Sequence, residues 1–442
     1  MTIRMDEGAA ELLDTLHRAG YAAYVVGGCV RDSLLGLTPH DWDLCTSALP
    51  QQGMELFGEE KCIPTGLQHG TVTVKQGGGL YEITTFRTEG AYTDGRHPDE
   101  VHFVPDVRED LARRDFTINA MAYNAKEGLV DPFGGQADLQ SGVLRAVGVP
   151  HQRFTEDALR ILRLYRFAAR FGFAIDPPTA QAAQELCAHL DCVSVERIEE
   201  ELAKLLSAPA PAAYLDEKIL GVVLPELSPE ALAAAKPVVD ACPAGEQALP
   251  VRLAALLLSL GEDGTRRTLR RLRCSNACIE ETAVLVREAV PGVPGAFSSD
   301  TNRAIPSPAL LPAATGSHPS GRSSEKLPAR PPVSLNIYTR KLLGQYGLKT
   351  VQRLAALGTA LQPEHAADFA ALSELAAQLD ADGVCCRVSQ LAVNGRDLMA
   401  AGVPSGPGIR KVLEALLDGV IREEYPNERQ ALLTAVQQLA AS

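Results

Sequence analysis

The hydrophobic pattern changes character twice along the chain. Over residues 1–145, short apolar runs alternate with helical periodicity and glycine-bearing turns. "AAELLDTLHRAG" (9–20) places its apolar residues at helical spacing and stops at Gly20, and "YAAYVV" (21–26) is an apolar run of strand length. "GTVTVKQGGGLYEITTFRT" (70–88) reads as two β-branched strands around a glycine turn, a hairpin. From about 150 to 290 the strand signal vanishes. Alanine, leucine and arginine recur at helical period instead, as in "EDALRILRLYRFAARFGF" (156–173) and "ERIEEELAKLL" (196–206), each predicting a helix. Residues 291–335 are rich in Pro, Ser and Gly without any period. Such a composition buries too little surface to offset chain entropy, so it predicts a disordered insertion. Helical periodicity resumes at "NIYTRKLLGQYG" (336–347) and continues to the end. The expected organisation is an α+β head followed by an all-helical body and tail.

A chain of 442 residues is too long for a single core and implies about three structural units. A net charge of −13 argues against a nucleic-acid partner on average. Two segments run against that average, "RILRLYRFAAR" (160–170) and "RRTLRRLR" (266–273). The second reads as a solvated helix face. In the first, Arg160, Arg163, Arg166 and Arg170 fall within an arc of roughly 120° at the helical 100° per residue, a one-sided basic stripe. The ten cysteines show no metal-ligand spacing, which implies reduced, mostly buried thiols. No apolar run is long enough to cross a bilayer and no signal peptide is evident, so a cytoplasmic protein is expected.

Candidate chemistry begins at "YAAYVVGGCVRDSLLGLTPHDWDLCTS" (21–47). Side chains two apart in an extended segment share a face, so Asp41 and Asp43 present both carboxylates to one side and Trp42 to the other. Two hard oxygen ligands suit Mg²⁺, which completes its shell with water and phosphate. Alone, an Asp-x-Asp is as readily a turn or a helix cap. Gly27 and Gly28, however, join a strand to a helix, so backbone amides and a helix N-terminus are available to an anion, with Arg31 as a charged donor in the first turn. The spacing is neither that of a dinucleotide fingerprint nor that of a Walker loop. Glu82, on the second hairpin strand, is a candidate third carboxylate; an ordinary surface acid fits it equally well.

These residues, with "RRDFTINAMAY" (113–123), "DPFGGQADL" (131–139) and "RFTEDALRILRLYRFAARFGF" (153–173), resemble in order and spacing the class II tRNA nucleotidyltransferases and the related bacterial poly(A) polymerases. The resemblance covers the first 210 residues and returns in "SQLAVNGRDLMAAGVPSGPGIRKVLEALLDGVIREEYPNERQALL" (389–433), similar to the tRNA-binding end of bacterial CCA-adding enzymes. It implies a polymerase-β-like head over 1–145, a helical neck over 146–210 that recognises the base, a helical body over 211–290, and a tRNA-binding tail over 336–442. The implied activity is metal-dependent, template-independent addition of C, C and A to the tRNA 3′ end from CTP and ATP. The same resemblance leaves open a poly(A) polymerase or an enzyme adding A alone, and a monomer or a homodimer.

Matched residue by residue, it assigns Asp41 and Asp43 to the metal, and Gly27, Gly28 and Arg31 to the triphosphate. Arg113, Arg114 and Asp115 fall to the ribose and phosphates. Within "EDALR", Asp157 and Arg160 fall to the base, with Glu156 bracing arginines, while Arg163 and Arg166 face the nucleotide. Asp157 and Arg160, three apart on one helix face, supply an acceptor and a donor. Cytosine and adenine both offer an exocyclic amine beside a ring-nitrogen acceptor, so one pair of side chains serves both. Residues 88–104 match the loop that is absent or short in members adding only CC. No paired His-Asp signature of a phosphohydrolase occurs in the helical half.

Overall fold

The computed structural model describes residues 3–90, 101–289 and 335–441. The expected insertion, apart from Leu335, and the centre of the 88–104 loop lie outside the described residues. The chain forms two compact units. One takes in residues 1–236 with short returns at 244–246 and 268–274, and the other takes in 237–243, 247–267 and the chain from 275 onward. The first unit therefore contains both the expected head and the expected neck.

The head is built on a seven-stranded sheet. Its strands are β1 (Ala23–Val26), β2 (Leu44–Thr46), β3 (Cys62–Gly66), β4 (Thr71–Gln76), β5 (Gly79–Thr85), and further on Ala122–Asn124 and Gly128–Val130. Across the sheet the order is β3-β4-β5-β2-β1, then Ala122–Asn124 and Gly128–Val130. Only β2 and β5 run parallel; every other pair is antiparallel. All four residues of β1 are buried, as a central strand covered on both faces requires. The β4–β5 hairpin turns on Gly77 and Gly78, both at positive φ (+57° and +85°), the backbone that a two-residue turn between right-twisted strands demands. Along β5, Tyr81, Ile83 and Thr85 are buried while Leu80 and Glu82 face out.

Helices cover the sheet and lead out of it. They are α1 (Glu7–Arg18), α2 (Gly28–Leu34), α3 (Pro50–Phe57), α4 (Val107–Ala112) and α5 (Gly135–Ser141). The carboxylate of Asp6 starts α1 by accepting the amides of Gly8 (3.0 Å) and Ala9 (3.3 Å). Val107 and Leu111 of α4 pack into a core with Tyr24, Val26, Cys45 and Phe86, which ties α4 to the central strands. Strands β6 (Arg87–Glu89) and β7 (Val101–Phe103) pair antiparallel and bring the two ends of the 88–104 loop together.

The neck departs from the expected single helix. Helix α6 (Pro150–Glu156) ends before Asp157, whose backbone is extended (φ −144°, ψ 105°), and α7 (Leu159–Phe171) restarts beyond it. An aspartate side chain that can bond nearby amides favours caps and breaks over helix interiors. Here Asp157 Oδ1 accepts the Leu159 amide at 3.0 Å. After α8 (Pro177–Glu185), α9 (Val195–Leu206) packs along α7. The second unit is helical throughout its described residues, and Leu398, Leu416 and Leu432 centre one of its cores. None of the ten cysteines forms a disulfide.

Candidate active site

Asp41 and Asp43 stand in the connection between α2 and β2, just before the strand begins. The Asp43 carbonyl accepts the Val26 amide at 2.9 Å, so pairing with β1 extends one residue past β2 and fixes this end of the motif. The parallel register matches Leu44 with Ile83, which sets Asp43 level with Glu82, both on the face opposite Leu44 and Ile83. Asp41, Asp43 and Glu82 are all solvent-accessible. Enough protein nevertheless crowds the Asp43 carboxylate that desolvation raises its pKa; Glu82 and Asp41 raise it further, and Arg114 opposes them. Among the described residues, no three His, Cys, Asp or Glu side chains already converge into a preformed metal shell. The carboxylates are mutually repelling neighbours, an oxygen-only donor set that a hard divalent cation suits.

Next to them, two glycines meet two arginines. Gly27 has φ +76°, a conformation that L side chains rarely adopt, and a Cβ there would lie 2.8 Å from Arg114 Nη1. A Cβ on Gly28 would lie 3.6 Å from Arg31 Nη2. The bare backbone therefore lets both guanidinium groups close in on the strand–helix joint. Their availability differs. Arg31, 4% exposed, is held by Asp32 (2.8 Å) and Asn119 (2.5 Å) and stacks over Phe167 and Phe171 at 5.3 and 5.0 Å. Burial lowers its pKa and Asp32 counters the shift. Arg31 thus forms a wall whose charge is already compensated. Arg114 meets Asp110 only at 3.5 Å, and its buried Nε has no hydrogen-bond partner. A guanidinium with donors left unpaired beside a glycine turn is compatible with an anionic ligand there.

Asp115 is buried and its oxygens are occupied. Oδ1 accepts the Phe116 amide (2.8 Å) and Asn119 (3.1 Å), and Oδ2 accepts Arg163 Nη2 (2.7 Å). Burial pushes the Asp115 pKa up, but Arg163 and Asn119 outweigh it and bring it down to about 2. At the break between α6 and α7, Asp157 accepts Arg197 Nη2 at 2.8 Å, and the Arg160 amide bonds its carbonyl at 3.0 Å. Backbone contact at the break, rather than a shared helix face, keeps the two residues together. The Arg160 guanidinium donates to Glu156 (2.7 Å) and to the carbonyls of Arg153 (3.2 Å) and Arg113 (3.1 Å). Three of its five N–H groups are engaged in those bonds.

Comparison with known proteins fits this geometry. Residues 23–145 match the poly(A) polymerase head domain, 172–230 the RNA- and SrmB-binding site of polymerase A, and 337–436 the tRNA nucleotidyltransferase domain 2. The CCA-adding enzyme of Lactiplantibacillus plantarum is 35% identical over 99% of this chain and 97% of its own length. That of Limosilactobacillus fermentum is 36% identical over 98% and 97%. The chain belongs to the CCA-adding enzymes. The crystal structure of the Bacillus stearothermophilus CCA-adding enzyme in complex with CTP superposes with a TM-score of 0.77 at 30% identity, covering 99% of this chain and 98% of that one. The likeness carries the polymerase-type head and the helical remainder together.

The one-sided basic stripe expected on α7 is paired with carboxylates rather than bare. Arg163 pairs with Asp115 (2.7 Å), Arg166 with Glu201 (2.5 Å) and Arg170 with Asp32 (3.5 Å). Arg166, 9% exposed, also lies 3.8 Å over the Phe167 ring, so as placed it packs the neck. Arg166 is deep enough to require a partner, while Arg163 and Arg170 stay partly exposed, and carboxylates from distant segments pair with all three. Sequence reasoning missed those partners: Asp110, Asn119, Arg197, Glu201 and the stacked Phe167–Phe171 pair. The one usable signal was Phe167 and Phe171 at helical i,i+4 spacing among the arginines. The basic run at 266–273 is paired at Arg266, Arg271 and Arg273, with Arg267 and Arg270 exposed, as a solvated face requires.

Proposed function

We propose that the family reaction, template-independent addition of CCA to the tRNA 3′ end from CTP and ATP, runs on Asp41 and Asp43, with Glu82 beside them. Nucleotidyltransferases of this family depend on a metal ion, and we assign Mg²⁺ from the oxygen-only donor set. The observation that carries the reading is the juxtaposition of these repelling carboxylates with Arg114, whose Nη1 lies beside Gly27 and whose Nε is unpartnered. When bound, the metal activates the attacking hydroxyl and offsets charge on the departing pyrophosphate. The tRNA 3′-oxygen attacks the α-phosphorus in line, the bond to the β-phosphate oxygen breaks, and pyrophosphate leaves. Gly27, Gly28 and Arg114 receive the triphosphate, Arg31 walls that site, and Arg113 and Asp115 support it. Asp157 and Arg160 read the base, and Arg163 and Arg166 hold the neck beneath it.

Asp157 accepts from the exocyclic amine, and the uncommitted Arg160 donors meet the ring nitrogen of cytosine or adenine. Uracil and guanine present a carbonyl where the amine belongs. The head (1–145), neck (146–210), body (211–290) and tail (336–442) keep the roles assigned from sequence, with the tail gripping tRNA. Full-length likeness to CCA-adding enzymes argues against a polyadenylating role. Ten cysteines with no disulfide among them, and no described helix long and apolar enough to cross a membrane, suit a cytoplasmic setting. The test is Asp41→Ala and Asp43→Ala on tRNA lacking its 3′ end. Each should abolish nucleotide addition while leaving tRNA affinity within about twofold, and near-normal turnover in either would remove the pair from the chemistry.

A further inference from the structure

The carboxylate that governs the two consecutive arginines lies outside the motif that contains them. Asp110, on α4, is 1% exposed. Its Oδ1 accepts Arg113 Nε (3.0 Å) and Nη2 (2.8 Å) and the Arg87 amide (3.3 Å), while Oδ2 faces Arg114 Nη2 at 3.5 Å. Burial raises the Asp110 pKa, but the two arginines outweigh that and hold it below the usual carboxylate range. The two oxygens therefore divide the arginines. Arg113 is gripped through two bonds. Arg114 is tethered at one nitrogen only, with Nη1 beside Gly27 and Nε unpartnered.

We propose that Asp110 is a positioning residue for the triphosphate: it anchors Arg113 as a bracket and aims Arg114 at the Gly27 joint without neutralising it. The assignment rests on the reading that Arg114 receives the triphosphate. A guanidinium with no tether would have to be ordered by each incoming nucleotide, and side-chain ordering of that kind weakens binding. A stronger, two-pronged pairing would instead compete with phosphate for the same donors. The long single contact does neither. Because the triphosphate is common to both substrates, Asp110 should act equally on CTP and ATP.

The experiment measures kcat and KM for CTP and ATP in Asp110→Asn, Asp110→Glu, Arg114→Ala and the double variant Asp110→Asn/Arg114→Ala, with Tm recorded for each. Both Asp110 variants should raise the KM of CTP and ATP alike by about tenfold, with tRNA KM unchanged, and Asp110→Asn should add almost nothing once Arg114 is alanine. If Arg114→Ala leaves nucleotide KM unchanged, the triphosphate reading beneath the proposal fails. If Arg114→Ala raises KM and folded Asp110 variants do not, or if the double variant is additive, the Asp110 assignment alone fails. Unfolding of both Asp110 variants would mark the residue as a core bracket and overturn the assignment.

Discussion

At Asp43 three effects compete, and together they raise its pKa. Crowding by protein raises its pKa first, the charges of Glu82 and Asp41 raise it further, and Arg114 only partly offsets them. A carboxylate whose pKa rises on folding destabilises the fold whenever it is ionised, so at neutral pH this arrangement opposes folding. Such a cost is retained where function needs it, and a bound cation reverses its sign. Asp43→Asn should therefore raise the Tm of the metal-free protein by about 1–2 °C at pH 7, and it should remove most of the Tm gain that Mg²⁺ gives the wild type. A lower metal-free Tm would show that Asp43 serves the fold.

Between elements, the Asp115–Arg163 pair ties α7 to the head, and its pH dependence follows from its sign. Folding lowers the Asp115 pKa to about 2, so its contribution is full above about pH 4, the unfolded value, and is lost as pH falls through 2. Asp115→Asn keeps an acceptor for Asn119 but loses the charge facing Arg163. Its Tm deficit against wild type should be constant from pH 7 to 5 and should shrink toward pH 2. A deficit that stays fixed down to pH 2 would assign the effect to packing. This pair also marks where the sequence stops being readable. The β4–β5 hairpin was legible because Gly77 and Gly78 announce their turn locally, and β1 because a buried central strand is apolar throughout. The break at Asp157 was hidden inside an unbroken helical period. The partners Glu201 and Arg197 come from another helix, so no local pattern assigns them. The arginine stripe of α7 was visible as charge, but its neutralisation depends on tertiary packing.

For the whole molecule, one site must add C, C and then A, and reject U and G, with no template strand. We assign that selectivity to Asp157 and Arg160, at a break held between α6, α7 and α9. Their partners remain compatible with the task, since a carboxylate has about four acceptor positions and Asp157 receives three hydrogen bonds. Losing a buried hydrogen bond to a charged partner costs ~1.5–3 kcal/mol, about ten- to a hundredfold in discrimination. The deciding measurement supplies tRNA lacking its 3′ end with all four triphosphates, sequences the extended ends, and determines kcat/KM for CTP and UTP in the wild type and in Asp157→Ala. The wild type should yield CCA ends. Asp157→Ala should lose about ten- to a hundredfold of its preference for CTP over UTP and place U among the added residues. An Asp157→Ala enzyme that is slower with every nucleotide, yet still writes only CCA, would contradict base selection by this pair.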